Sequence, residues 1–76
     1  MNEIRAEMAA TVWRVITPSG SPVRPGDLLV ILESMKMEIP VESDRTGVVE
    51  IHVAEGQVVQ EHDVIAVVEP AAPSAP

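Results

Sequence analysis

Glu33-Ser34-Met35-Lys36-Met37-Glu38, almost at the midpoint of a 76-residue chain, sets one lysine between two methionines where two apolar runs require a tight reversal. A primary amine in that position can act as a nucleophile and accept a covalently attached group. The ammonium ion is not nucleophilic, so the amine must be deprotonated by the enzyme it meets and must stand clear of the fold on a rigid element. Lys36 fits as the place where a modifying enzyme could hang a swinging cofactor. The sequence offers no rival site. His52 and His62 are the only histidines, and among twelve carboxylates no spacing suggests a closed metal site, so no metal is expected. The four glycines have neither the spacing nor the following helix of a phosphate loop. No acid, base and nucleophile are grouped.

The elements that must hold Lys36 read as strands. Residues 27–32 form a short run, unbroken apolar after Asp27 and opened by the turn Arg24-Pro25-Gly26, and residues 63–68 repeat it after Asp63. At an offset of 36 residues Gly20 falls on Gly56, Val23 on Val59, Asp27 on Asp63 and Glu33 on Glu69. Between those identities Val30-Ile31-Leu32 falls on Ala66-Val67-Val68, and upstream Val12 falls on Val48 and Val15 on Ile51. Each half therefore reads as strand, Gly turn, short extended piece, turn and strand. Lys36 lies in the link between the halves, since residues 37–41 begin the next extended piece. A quasi-two-fold arrangement places this link alone at one end, with the chain termini at the other, where the equivalent link is missing. No window shows apolar residues at helical spacing without Gly, Pro or dense β-branching, so essentially no helix is expected.

Composition agrees. Phe, Tyr and Cys are absent and Trp13 is the only aromatic, so the core must be Val, Ile and Leu, with Val the commonest. At this size folding removes only about 60% of the unfolded chain's surface from water, which leaves room for one compact domain. The expected domain is residues 1–69, followed by a Pro/Ala-rich tail, residues 70–76, with three prolines and no bulky apolar group, read as disordered. A net charge of −7 excludes nucleic acid and anionic membrane as main partners, because both bind clustered basic residues. The absence of Cys, of a signal-peptide pattern and of a bilayer-length apolar run implies a soluble cytoplasmic domain.

With Gly20 and Gly26 before it and Gly47 and Gly56 after it, the central hexapeptide resembles the biotin-attachment domain of biotin-dependent carboxylases, within the biotinyl/lipoyl-attachment family. The resemblance covers roughly residues 5–69. It is nearest to the short, free-standing biotin carboxyl carriers of actinobacteria, because no insertion interrupts the turn between Gly20 and Asp27. It implies an all-β fold, a flattened barrel-sandwich hybrid of about eight short strands in two quasi-symmetric halves. It also implies that Lys36 receives biotin as an amide from a biotin protein ligase, which first activates the vitamin as an acyl-adenylate. Carboxybiotin would then pass between biotin carboxylase and carboxyltransferase subunits, most plausibly of an acyl-CoA carboxylase of fatty acid metabolism, the carrier itself being non-catalytic and monomeric alone.

Two alternatives stand beside this reading. A lipoyl carrier shares the fold and the exposed lysine, but usually has Asp before the lysine and a small residue after it. A binding or regulatory protein could keep the carrier fold without serving a carboxylase.

Other residues carry narrower expectations. Met35 and Met37 serve ligation and carboxylation and also pack. If the segment is extended, both point to the face opposite Lys36. Glu33, Ser34 and Glu38 are candidates for ligase recognition, and Ser34 stands where Ala is commonest in the family. Gly20, Gly26, Gly47 and Gly56 are expected in turns, at positive φ or close backbone approach. Gly26 falls on His62, which makes His62 a strained turn residue at positive φ. Trp13, on an early strand, could anchor a partner, but a lone Trp more often covers one end of the core, which is the expectation here. Gly47 to Gly56 spans one residue less than Ala10 to Gly20, so a shortened or bulged strand is expected in the second half, with the register of residues 44–49 in doubt.

Overall fold

The computed structural model describes residues 2–70, and the tail expectation for residues 71–76 lies outside them. Eight strands form: β1 (Glu3–Arg5), β2 (Ala10–Val15), β3 (Pro22–Val23), β4 (Leu28–Ser34), β5 (Met37–Glu42), β6 (Gly47–Ile51), β7 (Val58–Val59) and β8 (Val64–Glu69). Among the described residues there is no helix, and so none long and apolar enough to cross a membrane. The strands make two four-stranded antiparallel sheets, in the orders β1-β8-β6-β3 and β5-β4-β2-β7.

The internal repeat of the sequence is the symmetry of the fold. Strands β2, β3 and β4 of the first half correspond to β6, β7 and β8 of the second, and the N-terminal β1 takes the place beside β8 that β5 takes beside β4. Buried residues come in matching pairs: Leu29 with Ile65, Val30 with Ala66, Leu32 with Val68, Val23 with Val59 and Val12 with Val49. Each half even bulges at the same place, β4 at Leu29 against β5 and β8 at Ile65 against β1, and both bulged side chains are fully buried. These β-branched and leucine side chains gain about 1.5–3 kcal/mol apiece on leaving water.

The turns repeat as faithfully. The Arg24 amide donates to the Asp27 carboxylate at 2.9 Å and the Gln60 amide to the Asp63 carboxylate at 2.8 Å. One residue before each aspartate the chain is left-handed, at Gly26 (φ 92°) and at His62 (φ 76°), as the offset implied. The Gly26 amide donates to the Ser43 carbonyl and the His62 amide to the Ala6 carbonyl, both at 2.8 Å, so Ser43 and Ala6 are also twins. Ser43, the one buried polar side chain of the described residues, donates its hydroxyl to the Arg45 carbonyl at 2.6 Å.

Three expectations are corrected. The second half does hold the shorter strand, five residues in β6 against six in β2, but the bulge is in the first half, because β2 bulges between Val12 and Arg14 against β4 whereas β6 runs in unbroken register from Val48 opposite Glu69 to Ile51 opposite Ala66. Trp13 is the inserted residue, and upstream of it the offset becomes 37, so that Val12 matches Val49 rather than Val48. Trp13 is also 39% exposed and lies outside the core. An indole is too large to replace a valine between two sheets already filled by valine and leucine, and Trp13 follows the buried Val12 on the outward side of β2, where the bulge sets Arg14 beside it. Gly47 is not in a turn. It opens β6 and answers to close approach, since a Cβ there would stand 2.1 Å from the Glu69 carbonyl oxygen.

Candidate functional site

Strands β4 and β5 form a hairpin whose last pair is Ser34 opposite Met37, leaving Met35 and Lys36 as a two-residue loop. Both loop residues are left-handed, Met35 at φ 53° and Lys36 at φ 65°, which is the type I′ turn that matches the twist of paired strands. That turn favours Asn-Gly. Placing two ordinary L-residues there costs roughly 1–2 kcal/mol each, held in place by the ladder from Leu28 to Ser34 on one side and Met37 to Glu42 on the other.

The turn lifts the amine off the fold. Lys36 is exposed and makes no ion pair or side-chain hydrogen bond with the described residues. It is the only lysine of the chain, a count that by itself isolates it and that the reading of the motif did not use. Met35 is 91% exposed and Met37 65%, so neither packs in the core. The alternation argument for them fails because the segment is a turn and not an extended strand. Two large apolar side chains on either side of the exposed amine, on a left-handed loop, add nothing to the core.

Below the turn, Glu33 lies directly opposite Glu38, both exposed. Like charges facing across a ladder disfavour the pairing, so this carboxylate pair also adds nothing to the fold. Ser34 is half-buried opposite Met37. The hairpin thus brings together all six motif residues. The turn glycines and the histidines stand elsewhere, His62 in the β7–β8 turn and His52 just after β6, where its Nε2 lies 2.7 Å from a Glu50 carboxylate oxygen.

A lone free amine at the tip of a rigid hairpin has the chemistry to carry a group joined through an amide. The family model described as biotin-requiring enzyme, for biotin and lipoyl attachment, matches residues 2–69. The chain belongs to this family of biotin carrier domains. It is 46% identical over 67 residues to the biotinylated protein TB7.3 homolog of Mycobacterium leprae, covering 87% of this chain and 94% of that one. It is 43% identical over 63 residues to the biotin/lipoyl attachment protein of Bacillus subtilis, covering 82% and 86%. Among solved structures, a single-chain, multi-domain long-chain acyl-CoA carboxylase superposes with a TM-score of 0.82 and 32% identity, over 95% of this chain but 7% of that one. The carrier is therefore of the kind that holds covalently attached biotin, and its exposed amine suits an amide to the biotin carboxyl group. The sequence resemblance named this family.

Proposed function

We propose that Lys36 is the residue that accepts biotin and that the domain carries carboxyl groups between the active sites of a carboxylase. The observation that supports this most is the left-handed Met35-Lys36 turn, which holds the only lysine at the hairpin tip, without a side-chain partner among the described residues. In the transfer, a biotin protein ligase removes a proton from the Lys36 ammonium. The Nζ lone pair then attacks the acyl carbon of biotinyl-adenylate, the amide C–N bond forms, and the acyl–phosphate bond breaks to release AMP. Once bound there, biotin supplies a ureido nitrogen that takes up a carboxyl group at one enzyme's site and yields it at another.

The chain's own contribution is presentation. The paired strands fix where the lysine leaves the domain, and Met35 and Met37 give each enzyme apolar anchors around an otherwise acidic tip. The likeness to the long-chain acyl-CoA carboxylase favours biotin carboxylase and carboxyltransferase of an acyl-CoA carboxylase as partners, and a chain without cysteine suits the reducing cytoplasm. Met35 and Met37 favour biotin over lipoate.

Intact mass after co-expression with a biotin ligase tests the reading. Wild type should gain one biotin and Lys36→Arg none. No gain by wild type, or a gain by the variant, overturns it.

A further inference from the structure

The outward faces of the two sheets differ where their cores do not. On the hairpin sheet, alternation from buried Val12 turns Trp13 outward, and Arg14 stacks on it with its guanidinium carbon 4.9 Å from the ring centroid. Arg14 lies opposite Ile31, and Ile31 opposite Pro40, which extends an apolar row across three strands. The equivalent row on the other sheet is Glu50, Val67 and Glu3. An acidic row has been exchanged for one with an indole, an isoleucine, a proline and a cation, in a chain of net charge −7. The indole is there only because one residue has been inserted into β2.

We propose that the Trp13, Arg14, Ile31 and Pro40 face is the docking surface for the biotin ligase, whose rim offers an apolar cleft to the indole and a carboxylate to Arg14. The proposal rests on the reading of Lys36 as the biotinylated residue. The face lies on the same sheet as the hairpin: the row of Val12, Leu32 and Ile39, the row of Thr11, Glu33 and Glu38 and the pair Ser34 and Met37 separate it from the turn. An enzyme closing over Lys36 from that side meets it. It is a sheet face and not a cleft, which suits a protein surface better than a small molecule. Trp and Arg together are the residue types that most often carry binding energy at such surfaces. The ligase is the partner that needs it most. A carboxylase or transferase can grip the biotin itself, whereas the ligase meets the carrier before biotin is attached and must draw all its discrimination from protein surface.

Trp13 is the only tryptophan, so 5-fluorotryptophan labelling gives a single 19F resonance. The label is placed in full-length Lys36→Arg, which holds no acylable side-chain amine, and titrated with unlabelled ligase, biotin and ATP. The resonance should shift or broaden saturably. In biotinylation kinetics read by intact mass, Trp13→Ala and Arg14→Glu should each raise KM about ten-fold with kcat within about two-fold. Glu50→Ala, the twin position on the other sheet, should change neither. A resonance that stays at its free position at ligase concentrations that saturate wild-type biotinylation overturns the docking surface, as does an unchanged KM for Trp13→Ala. A wild type that gains no biotin mass instead overturns the Lys36 reading beneath it.

Discussion

The two halves of this domain share one interior and differ at their surfaces. Leu29 and Ile65 occupy the same bulge, Asp27 and Asp63 close the same turn, and Gly26 and His62 take the same left-handed conformation. The departures are few: the Met35-Lys36 turn, which has no counterpart among the described residues, and the insertion of Trp13. Both fall on one sheet. Packing holds the interior to its symmetry, because each side chain has to fit the mate it faces, while the surface is free to diverge.

The largest effects test whether the halves are equivalent inside. Leu29→Ala and Ile65→Ala should each cost about 2–5 kcal/mol in denaturant unfolding, and should agree to within about 1 kcal/mol. A much larger gap would show that one half dominates the core. Next comes Gly47, whose twin is the buried Ala10. Gly47→Ala should destabilise by about 2–3 kcal/mol, because the new methyl meets the Glu69 carbonyl, which is backbone and cannot swing aside. Ala10→Gly should cost only about 0.5–1 kcal/mol, and similar losses at the two sites would contradict the asymmetry.

The turn reverses the sign. Replacing Met35-Lys36 by Asn-Gly should raise stability by about 1–2 kcal/mol while abolishing biotinylation, since it relieves two left-handed L-residues and removes the amine. A chemical melt and an intact mass on the same sample measure both, and a loss of stability would mean that the turn is not strained. Smallest is His62→Gly. Relief of positive φ is offset by the greater freedom of an unfolded glycine, so the variant should lie between neutral and about 1 kcal/mol more stable, with biotinylation intact. A clear loss on thermal unfolding would show that the imidazole makes a contact worth more than the strain.

Much of this was legible without coordinates. The offset of 36 residues, visible in four identities, fixed the strand pairs and the isolated link. Matching Gly26 to His62 was enough to place a histidine at positive φ. What misled was local. A one-residue mismatch between the repeats says that something is inserted but not where, and spacing alone could not choose between Trp13 and the strand after Asp44. A glycine read as a turn residue proved to be a contact residue, because the carbonyl it must avoid comes from Glu69, 22 positions away by the numbering.

The amino-acid sequence by itself determined the repeat, the all-β class, the valine-rich core and the single lysine in the link between the halves, because each follows from residue type and short-range order. The tertiary structure alone decided how the lysine is presented: a two-residue left-handed turn, with Met35 and Met37 thrown into solvent and Glu33 set against Glu38. Those features depend on strand register, and register is fixed by which residues the two sheets bury against each other. The same cause put Trp13 outside. The core had no volume left for an indole, so the inserted residue could go only to the surface beside the hairpin.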